Sequence, residues 1–511
     1  MNILLGASYE HYKYEQLTAS RQNFITDSMT DISAGATTGA NYKNGGESYE
    51  YKMLSYFGRI NYSLMDRYLF EVNFRADASS RFHKDNRWGW FPSFSAGWRI
   101  SEEAFMKDVE WIDNLKLRAS YGTLGNINNV GYYDYFQTYS SSNIHYTFDN
   151  VDVPGVAPGK VANRSLGWEK VALTDVGIDL DLFNGMLSLT ADYYIKKTSD
   201  ILLKYNVPEE TGISSNEAPS QNLGKVKNVG LELGISHRHH IGSVKYSIAA
   251  NIATNCNRVV DMGTSNNLIS NASHILKYIL REGEAVGSYY GYQTDGLYTQ
   301  EEIDTGKYYL IGGRKPNAGD IKFVPQRDIA YGESLTDDDR TIIGKDVPSF
   351  TYGLNLNLEW KGFELTLFGQ GVGGANVAFD VYGVHPFFHG QDSPRKFHLK
   401  RWTEENPNPN AAYPRIYTAG DAHTMYNRNF SSYQVFDADY FRVKTLSLGY
   451  TIPKHYIKNW GLQNLKVFVT GENLFTFRAD NRMEDFDPEN ASGVIYNLGT
   501  KSIALGVNVS F

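Results

Sequence analysis

Cysteine is almost missing from this chain of 511 residues: Cys256 stands alone, so no disulfide can close within it. Its flanks, Asn255, Asn257 and Arg258, supply neither a metal set nor a thiolate-activating pattern. No apolar run is long enough for a transmembrane helix, and mean hydropathy is −0.42. Charge of one sign is not in excess either. The 49 basic and 57 acidic residues are interspersed and sum to −8, which removes the electrostatic footprint of a nucleic-acid binder. No Ser, Cys or paired-carboxylate spacing repeats a known catalytic mechanism, so an enzyme is not expected. The start, Met1-Asn-Ile-Leu-Leu-Gly-Ala-Ser-Tyr9, reads as a strand and has neither the basic stretch nor the cleavage site of a signal peptide.

Aromatic residues are abundant, at 14% with 37 Tyr, and so is glycine, at 47 residues. The aromatics fall into alternating segments. The last residues place Ile503, Leu505, Val507, Val509 and Phe511 on one face, with Ser502, Ala504, Gly506, Asn508 and Ser510 on the other. Tyr352, Leu354, Leu356, Leu358 and Trp360 alternate with Gly353, Asn355, Asn357 and Glu359. The pattern resumes after Lys361-Gly362 at Phe363, a hairpin signature. Alternation of this kind fits a β-barrel in a membrane or a soluble sandwich.

Connection lengths separate the two. Segments alternating over about ten residues, near the length that crosses a bilayer, number about fourteen. They begin near Ile3, Phe57, Tyr68, Phe94, Leu115, Asp175, Leu187, Val229, Lys245, Tyr352, Phe363, Tyr440, Leu465 and Ser502. Between them short links (64–67, 101–113, 183–185, 237–243, 361–362, 453–464) alternate with long ones (16–52, 79–90, 124–172, 197–225, 255–350, 372–439, 474–500). A sandwich has no reason to keep every long loop at one end, whereas outer-membrane barrels keep short turns on the periplasmic side and long loops outside. The spacing therefore predicts an all-β, transmembrane antiparallel barrel architecture. Loops of this length also exceed what a simple porin needs.

An ordered series of segments resembles the SusC/RagA family of TonB-dependent outer-membrane transporters. It runs Gly58-Arg-Ile-Asn-Tyr62, Phe74-Arg-Ala-Asp-Ala-Ser-Ser-Arg-Phe82, Trp90-Phe-Pro-Ser-Phe-Ser-Ala-Gly-Trp98 and Asn222-Leu-Gly-Lys-Val-Lys-Asn-Val-Gly-Leu-Glu232. It continues through Gly319-Asp-Ile-Lys-Phe323, Arg401-Trp-Thr-Glu-Glu-Asn-Pro-Asn408, Phe441-Arg-Val-Lys-Thr-Leu-Ser-Leu-Gly-Tyr-Thr-Ile-Pro453 and Gly471-Glu-Asn-Leu-Phe475. The resemblance implies a 22-stranded barrel blocked by an N-terminal plug that engages TonB, in the bacterial outer membrane. Residues 1–511 are then expected to be the C-terminal part of such a barrel, with plug and signal peptide outside this chain.

The function implied is TonB-dependent import of a bulky nutrient, an oligosaccharide or glycan, beneath a SusD-like surface lipoprotein. The alternatives are a peptide or siderophore receptor, a passive 14-stranded porin, or an adhesin. Arg75, Arg99, Arg118 and Glu359, on the lumen side, are expected to hold the plug. Trp88, Trp90, Tyr289, Tyr290, Phe387 and Phe388 are the candidates for stacking on substrate, against the reading that they belong to a membrane-interface belt or a loop core. Phe511 resembles the terminal assembly signal of such barrels. No cofactor is expected. Family members often carry a calcium-like Asp-x-Asn-Gly-Asp-Gly stretch between Asp320 and Asp337, where this chain has Pro325-Gln-Arg-Asp-Ile-Ala330, without the alternating oxygens or the turn glycine. The connection lengths place His237-Arg-His-His240 in an expected short turn without Cys or carboxylate partners, where it reads as solvated.

Overall fold

A computed structural model describes residues 1–37, 42–140, 144–158, 161–204, 219–263, 268–271, 275–379, 385–387, 394–418, 421, 423–484, 486–489 and 499–511. Fourteen strands follow one another in chain order through a single antiparallel sheet. They are β1 (Asn2–Arg21), β2 (Tyr42–Leu64), β3 (Tyr68–Ser79), β4 (Trp88–Arg99), β5 (Ile112–Asn126), β6 (Glu169–Leu182) and β7 (Leu187–Lys204). The rest are β8 (Ser220–Ile241), β9 (Val244–Thr254), β10 (Phe350–Trp360), β11 (Phe363–Gly373), β12 (Tyr440–Thr451), β13 (Asn464–Arg478) and β14 (Ser502–Ser510). A further short strand, Cys256–Asp261, pairs with β8. Among the described residues no helix is long and apolar enough to cross a membrane.

The chain divides into two compact units. In the first (Met1–Gly97, Ala119–Thr174, Lys196–Lys225), β1 pairs with β2 over its whole length, Asn2↔Asn61 to Arg21↔Tyr42, and β2 pairs with β3. Ile3, Leu5, Ile60, Tyr62, Phe70, Val72 and Phe74 are exposed on one face. On the other, Arg75 bonds Asp77 at 2.8 Å and Ser55 at 3.2 Å. Leaving so many large apolar side chains in water would forfeit about 25 cal/mol per Å² each, so that face suits hydrocarbon. The connection expected from Gln16 to Lys52 is largely strand: β1 runs on to Arg21 and β2 starts at Tyr42, because alternation continues there with the character of the two faces exchanged.

The second unit (Trp98–Arg118, Asp175–Ile195, Val226–Phe511) repeats the pattern. β10 and β11 turn on Lys361 and Gly362, both at positive φ, the geometry that matches strand twist in a two-residue hairpin. A Cβ at Gly362 would stand 2.8 Å from the Thr451 carbonyl oxygen, so a side chain there meets the backbone of β12. Two rows of aromatics cross these strands. Phe441 stacks on Tyr352 at 5.9 Å and lies 6.4 Å from Phe477, while Phe363 lies 6.4 Å from Trp360 and 4.5 Å from Tyr450. Tyr352 and Trp360 are eight residues apart on β10, about 27 Å along a strand, close to the roughly 25 Å band between the aromatic girdles of an outer-membrane barrel. Among the described residues β1 pairs with β2 alone and β14 with β13 alone.

Candidate functional site

The long connections 255–349 and 374–439, both in the second unit, fold together into one body. Strand Ser288–Leu297 pairs with Ile321–Val324 and with Arg340–Lys345 from the first connection. It also reaches the second: the Tyr292 N–H donates to the Phe430 carbonyl at 3.0 Å, and Thr294 and Ser432 share a hydroxyl hydrogen bond of 2.7 Å. Tyr292, Tyr298, Ile321 and Phe323 from one connection and Trp402 and Tyr426 from the other bury against each other. Six such side chains hold tens of dispersion contacts apiece, enough to make these loops a preformed surface.

Two buried carboxylates organise this body. Asp320, in Gly319-Asp-Ile-Lys-Phe323, accepts hydrogen bonds from the Tyr417 hydroxyl (2.7 Å), Asn427 Nδ2 (2.8 Å) and the Asn317 N–H (2.8 Å). Burial outweighs these donors and pushes its carboxyl above the usual range. Asp339 is equally buried, and burial pushes it up too. There the Arg327 guanidinium and the N–H groups of Thr336, Arg327 and Gln326 outweigh burial and hold it below the usual range. Arg327 thus occupies the carboxylate from within 325–330, the segment that lacks the alternating oxygens of a calcium loop. Among the described residues no group of three or more His, Cys, Asp or Glu is arranged to hold a metal ion.

The aromatic candidates separate. Tyr289 is 1% exposed, stacks on Tyr278 at 5.0 Å, lies edge-on to Phe430, and accepts from the Ala378 N–H, so it packs the loop core and offers a ligand no face. Its neighbour Tyr290 is half-buried, with its hydroxyl 3.5 Å from the Asp337 carbonyl. Phe387 is half-buried and its carbonyl accepts from Arg428 at 3.4 Å, whereas Phe388 lies outside the described residues. Trp88 and Trp90, 43% and 61% exposed, lie 6.2 Å apart on the apolar face of the first unit, Trp88 against Tyr56 and Trp90 against Phe74. That face suits lipid.

The polar candidates are engaged locally. Arg118 forms a two-pronged pair with Asp179 (2.8 and 2.9 Å) and reaches Asp192 at 2.9 Å. Arg99 pairs with Glu102 at 2.9 Å in the turn after β4, and Arg75 with Asp77 as above. Glu359 is exposed on β10 opposite Lys245 of β9. Phe511 is 84% exposed beyond β14. One group escaped the sequence reading. Buried Arg442 of β12 bonds Asp487 at 2.6 Å and Glu489 at 2.8 Å, and Glu489 also receives Lys444 (2.6 Å) and the Tyr440 hydroxyl (2.9 Å). These contacts fasten the last long connection to the strands. Phe486-Asp-Pro-Glu489 has no local signal for a partner some 45 residues away.

A sheet of this order, with lipid-suited alternation, aromatic girdles and a folded body of long loops, defines an outer-membrane β-barrel with an elaborated loop end. The family model for the TonB-dependent receptor-like β-barrel matches residues 2–474, and the chain belongs to that family. It is 31% identical over 532 aligned positions to TonB-dependent receptor P3 of Formosa agariphila, covering 100% of this chain and 50% of that protein. To TonB-dependent receptor SusC of Bacteroides thetaiotaomicron it is 28% identical, covering 90% of this chain and 44% of the relative. A solved structure of the RagAB peptide transporter superposes with a TM-score of 0.80 at 24% identity, over 100% of this chain and 53% of that one, a likeness of fold. The chain spans about half the length of the curated relatives it matches.

Proposed function

We propose that this chain is the C-terminal part of the barrel of a TonB-dependent importer whose plug and remaining strands lie outside the sequence. The observation that carries the reading is the loop body: two long connections share one aromatic core and present a fixed surface at the long-loop end, more than a passive pore requires. The one-sided pairing of β1 and β14 supports a barrel closed by further strands, since an unpaired strand edge in lipid leaves every second backbone group unsatisfied. It also weighs against the passive 14-stranded porin.

In this reading a nutrient binds at the long-loop end, a SusD-like lipoprotein covers it, and TonB acting on the plug opens the passage. The nutrient is an oligosaccharide, and a peptide is the alternative occupant. Exposed Tyr331 and Leu399 on the loop body suit the lipoprotein contact. Tyr331→Glu and Leu399→Glu, introduced into the receptor in its own membrane, should reduce co-purification of a surface lipoprotein and nutrient uptake while leaving barrel abundance unchanged. Full capture of the lipoprotein and full uptake in both variants would exclude the loop body as its seat.

A further inference from the structure

Hairpin β1–β2 is longer than a bilayer crossing needs. A tilted strand crosses with about 9–11 residues, yet β1 has 20 and β2 has 23. The surplus, from Glu10 onward in β1 and up to Lys52 in β2, stands beyond the apolar band, and at that boundary the two faces exchange character. The face that carried Ile3, Leu5 and Ile60 now carries charges: His11 bonds Glu50 at 2.9 Å and Lys13 pairs with Glu15 at 2.5 Å. The face that carried Ser55 now carries rings, with Tyr12 opposite Tyr51 and Tyr14 opposite Tyr49.

The connection after β5 adds Tyr132 and Tyr133. Ring centroids lie 4.6 Å apart for Tyr14 and Tyr49, 5.4 Å for Tyr12 and Tyr51, 4.4 Å for Tyr49 and Tyr132, and 6.4 Å for Tyr132 and Tyr133. The Arg81 guanidinium lies 4.6 Å from the Tyr51 centroid and 4.3 Å from that of Tyr132, and donates to the carbonyls of Ile127 and Val130 at 3.4 and 3.2 Å. Loop and hairpin are thereby tied into one wall. Tyr12 and Tyr133 are its exposed rings, at 39% and 42%.

Two ordinary explanations for such a cluster fit poorly. A membrane belt is excluded, because the rings occupy the face opposite the lipid-suited one. A packing cluster would be served better by Leu, Ile and Phe, whereas all six rings here carry hydroxyls. Ring faces bordered by hydroxyls, with a guanidinium and the Glu10 carboxylate (bonded to the Tyr51 hydroxyl) among them, complement a sugar, which is apolar on its C–H face and polar around its edge. We propose that Tyr12, Tyr14, Tyr49, Tyr51, Tyr132 and Tyr133, with Arg81, form an oligosaccharide-binding wall. The proposal deepens the importer reading by giving its oligosaccharide a subsite, and depends on that reading only for the direction of transport.

The test is equilibrium binding of four neutral hexasaccharides (cellohexaose, maltohexaose, xylohexaose and mannohexaose) to the detergent-purified receptor, with a nonapeptide as comparison. At least one sugar should bind. Tyr12→Ala and Tyr133→Ala should each weaken it about tenfold with the thermal midpoint unchanged, and Arg81→Lys, which keeps the charge but loses the planar stack, should weaken it too. If an alanine variant is poorly folded, Tyr12→Leu and Tyr133→Leu, which fill the space without a ring, should show the same loss. Binding of no hexasaccharide to the unaltered receptor, equal binding by the variants, or the same tyrosine dependence for the nonapeptide would each overturn the proposal. Retained sugar binding and tyrosine dependence without TonB-dependent uptake would uphold the wall and remove the importer reading instead.

Discussion

Replacing Arg442 by Met tests whether buried charge holds the last long connection in place. The Arg442 side chain is 5% exposed and that of Asp487 13%; the substitution removes the 2.6 Å contact to Asp487, the 2.8 Å contact to Glu489 and the 3.0 Å bond to Thr476. Breaking a buried pair by deleting one partner costs about 3–5 kcal/mol. Glu489 keeps Lys444 and Tyr440, so the loss falls on Asp487 and the lower end applies, about 3 kcal/mol or roughly 150-fold in the local opening equilibrium. Hydrogen exchange of segment 480–489 in the purified receptor measures this. The pH dependence supplies a sharper criterion. In the unaltered protein, burial pushes Asp487 up, but the Arg442 guanidinium and the Glu489 N–H outweigh it and hold the carboxyl below its ordinary 3.8. Its contribution is therefore complete above that value and is lost only as pH falls through the depressed pKa, so protection should be flat from pH 7 to 5. Without Arg442, only the Glu489 N–H and the Lys444 ammonium still oppose burial, so the folded-state pKa moves up and acidification costs the variant less protection, corrected for intrinsic exchange, than it costs the parent. A variant with less than tenfold loss at pH 7, or one whose protection falls as steeply as the parent's when the medium is acidified below 3.8, would refute the reasoning.

Asp320→Asn should loosen the loop body by about 1–3 kcal/mol, because a carboxamide cannot accept from Tyr417, Asn427 and the Asn317 N–H at once, and faster proteolysis within 298–330 would register it. Because burial raises the Asp320 pKa, its contribution is greatest below 3.8 and declines as pH rises through the raised value, a slope the Asn variant should lack. Tyr289→Ala should open a cavity against Tyr278 and Phe430 and cost about 3 kcal/mol of local stability, read by exchange in 276–291, without a direct effect on ligand contact. Removal of Phe511 should lower the amount of receptor in the outer membrane, measured by surface labelling, while the inserted fraction binds ligand with unchanged affinity.

The strands were legible because a sheet with lipid on one side imposes a period of two on sequence, whatever the identity of the residues. The expected starts at Tyr68, Leu187, Phe363, Tyr440 and Ser502 are the observed ones. The β2 start was misplaced by fifteen residues for a physical reason. Reading apolar residues on one face works only within the hydrocarbon band, and beyond Lys52 the charged face and the ring face trade places, so the same strand resembles a polar loop.

Side-chain roles were less legible, because neighbours in sequence can have opposite fates. Tyr289 and Tyr290 are adjacent and chemically identical, yet pairing of Ser288–Leu297 with two other segments turns one ring into the loop core and leaves the other at its border. Trp88 and Trp90 meet the requirements of a stacking site in sequence, but the parity of β4 puts them with Phe74 and Tyr56 on the lipid-suited face. Parity also recovers what was missed. Tyr12, Tyr14, Tyr49 and Tyr51 sit two apart on each strand of a hairpin whose register aligns them, and that register is set below, where Ile3 meets Ile60 and Leu5 meets Gly58. A slip of one residue between the two strands in the membrane band would turn the rings of one strand to the opposite face and split the set. The lipid-suited half of the hairpin therefore positions the ring wall above it.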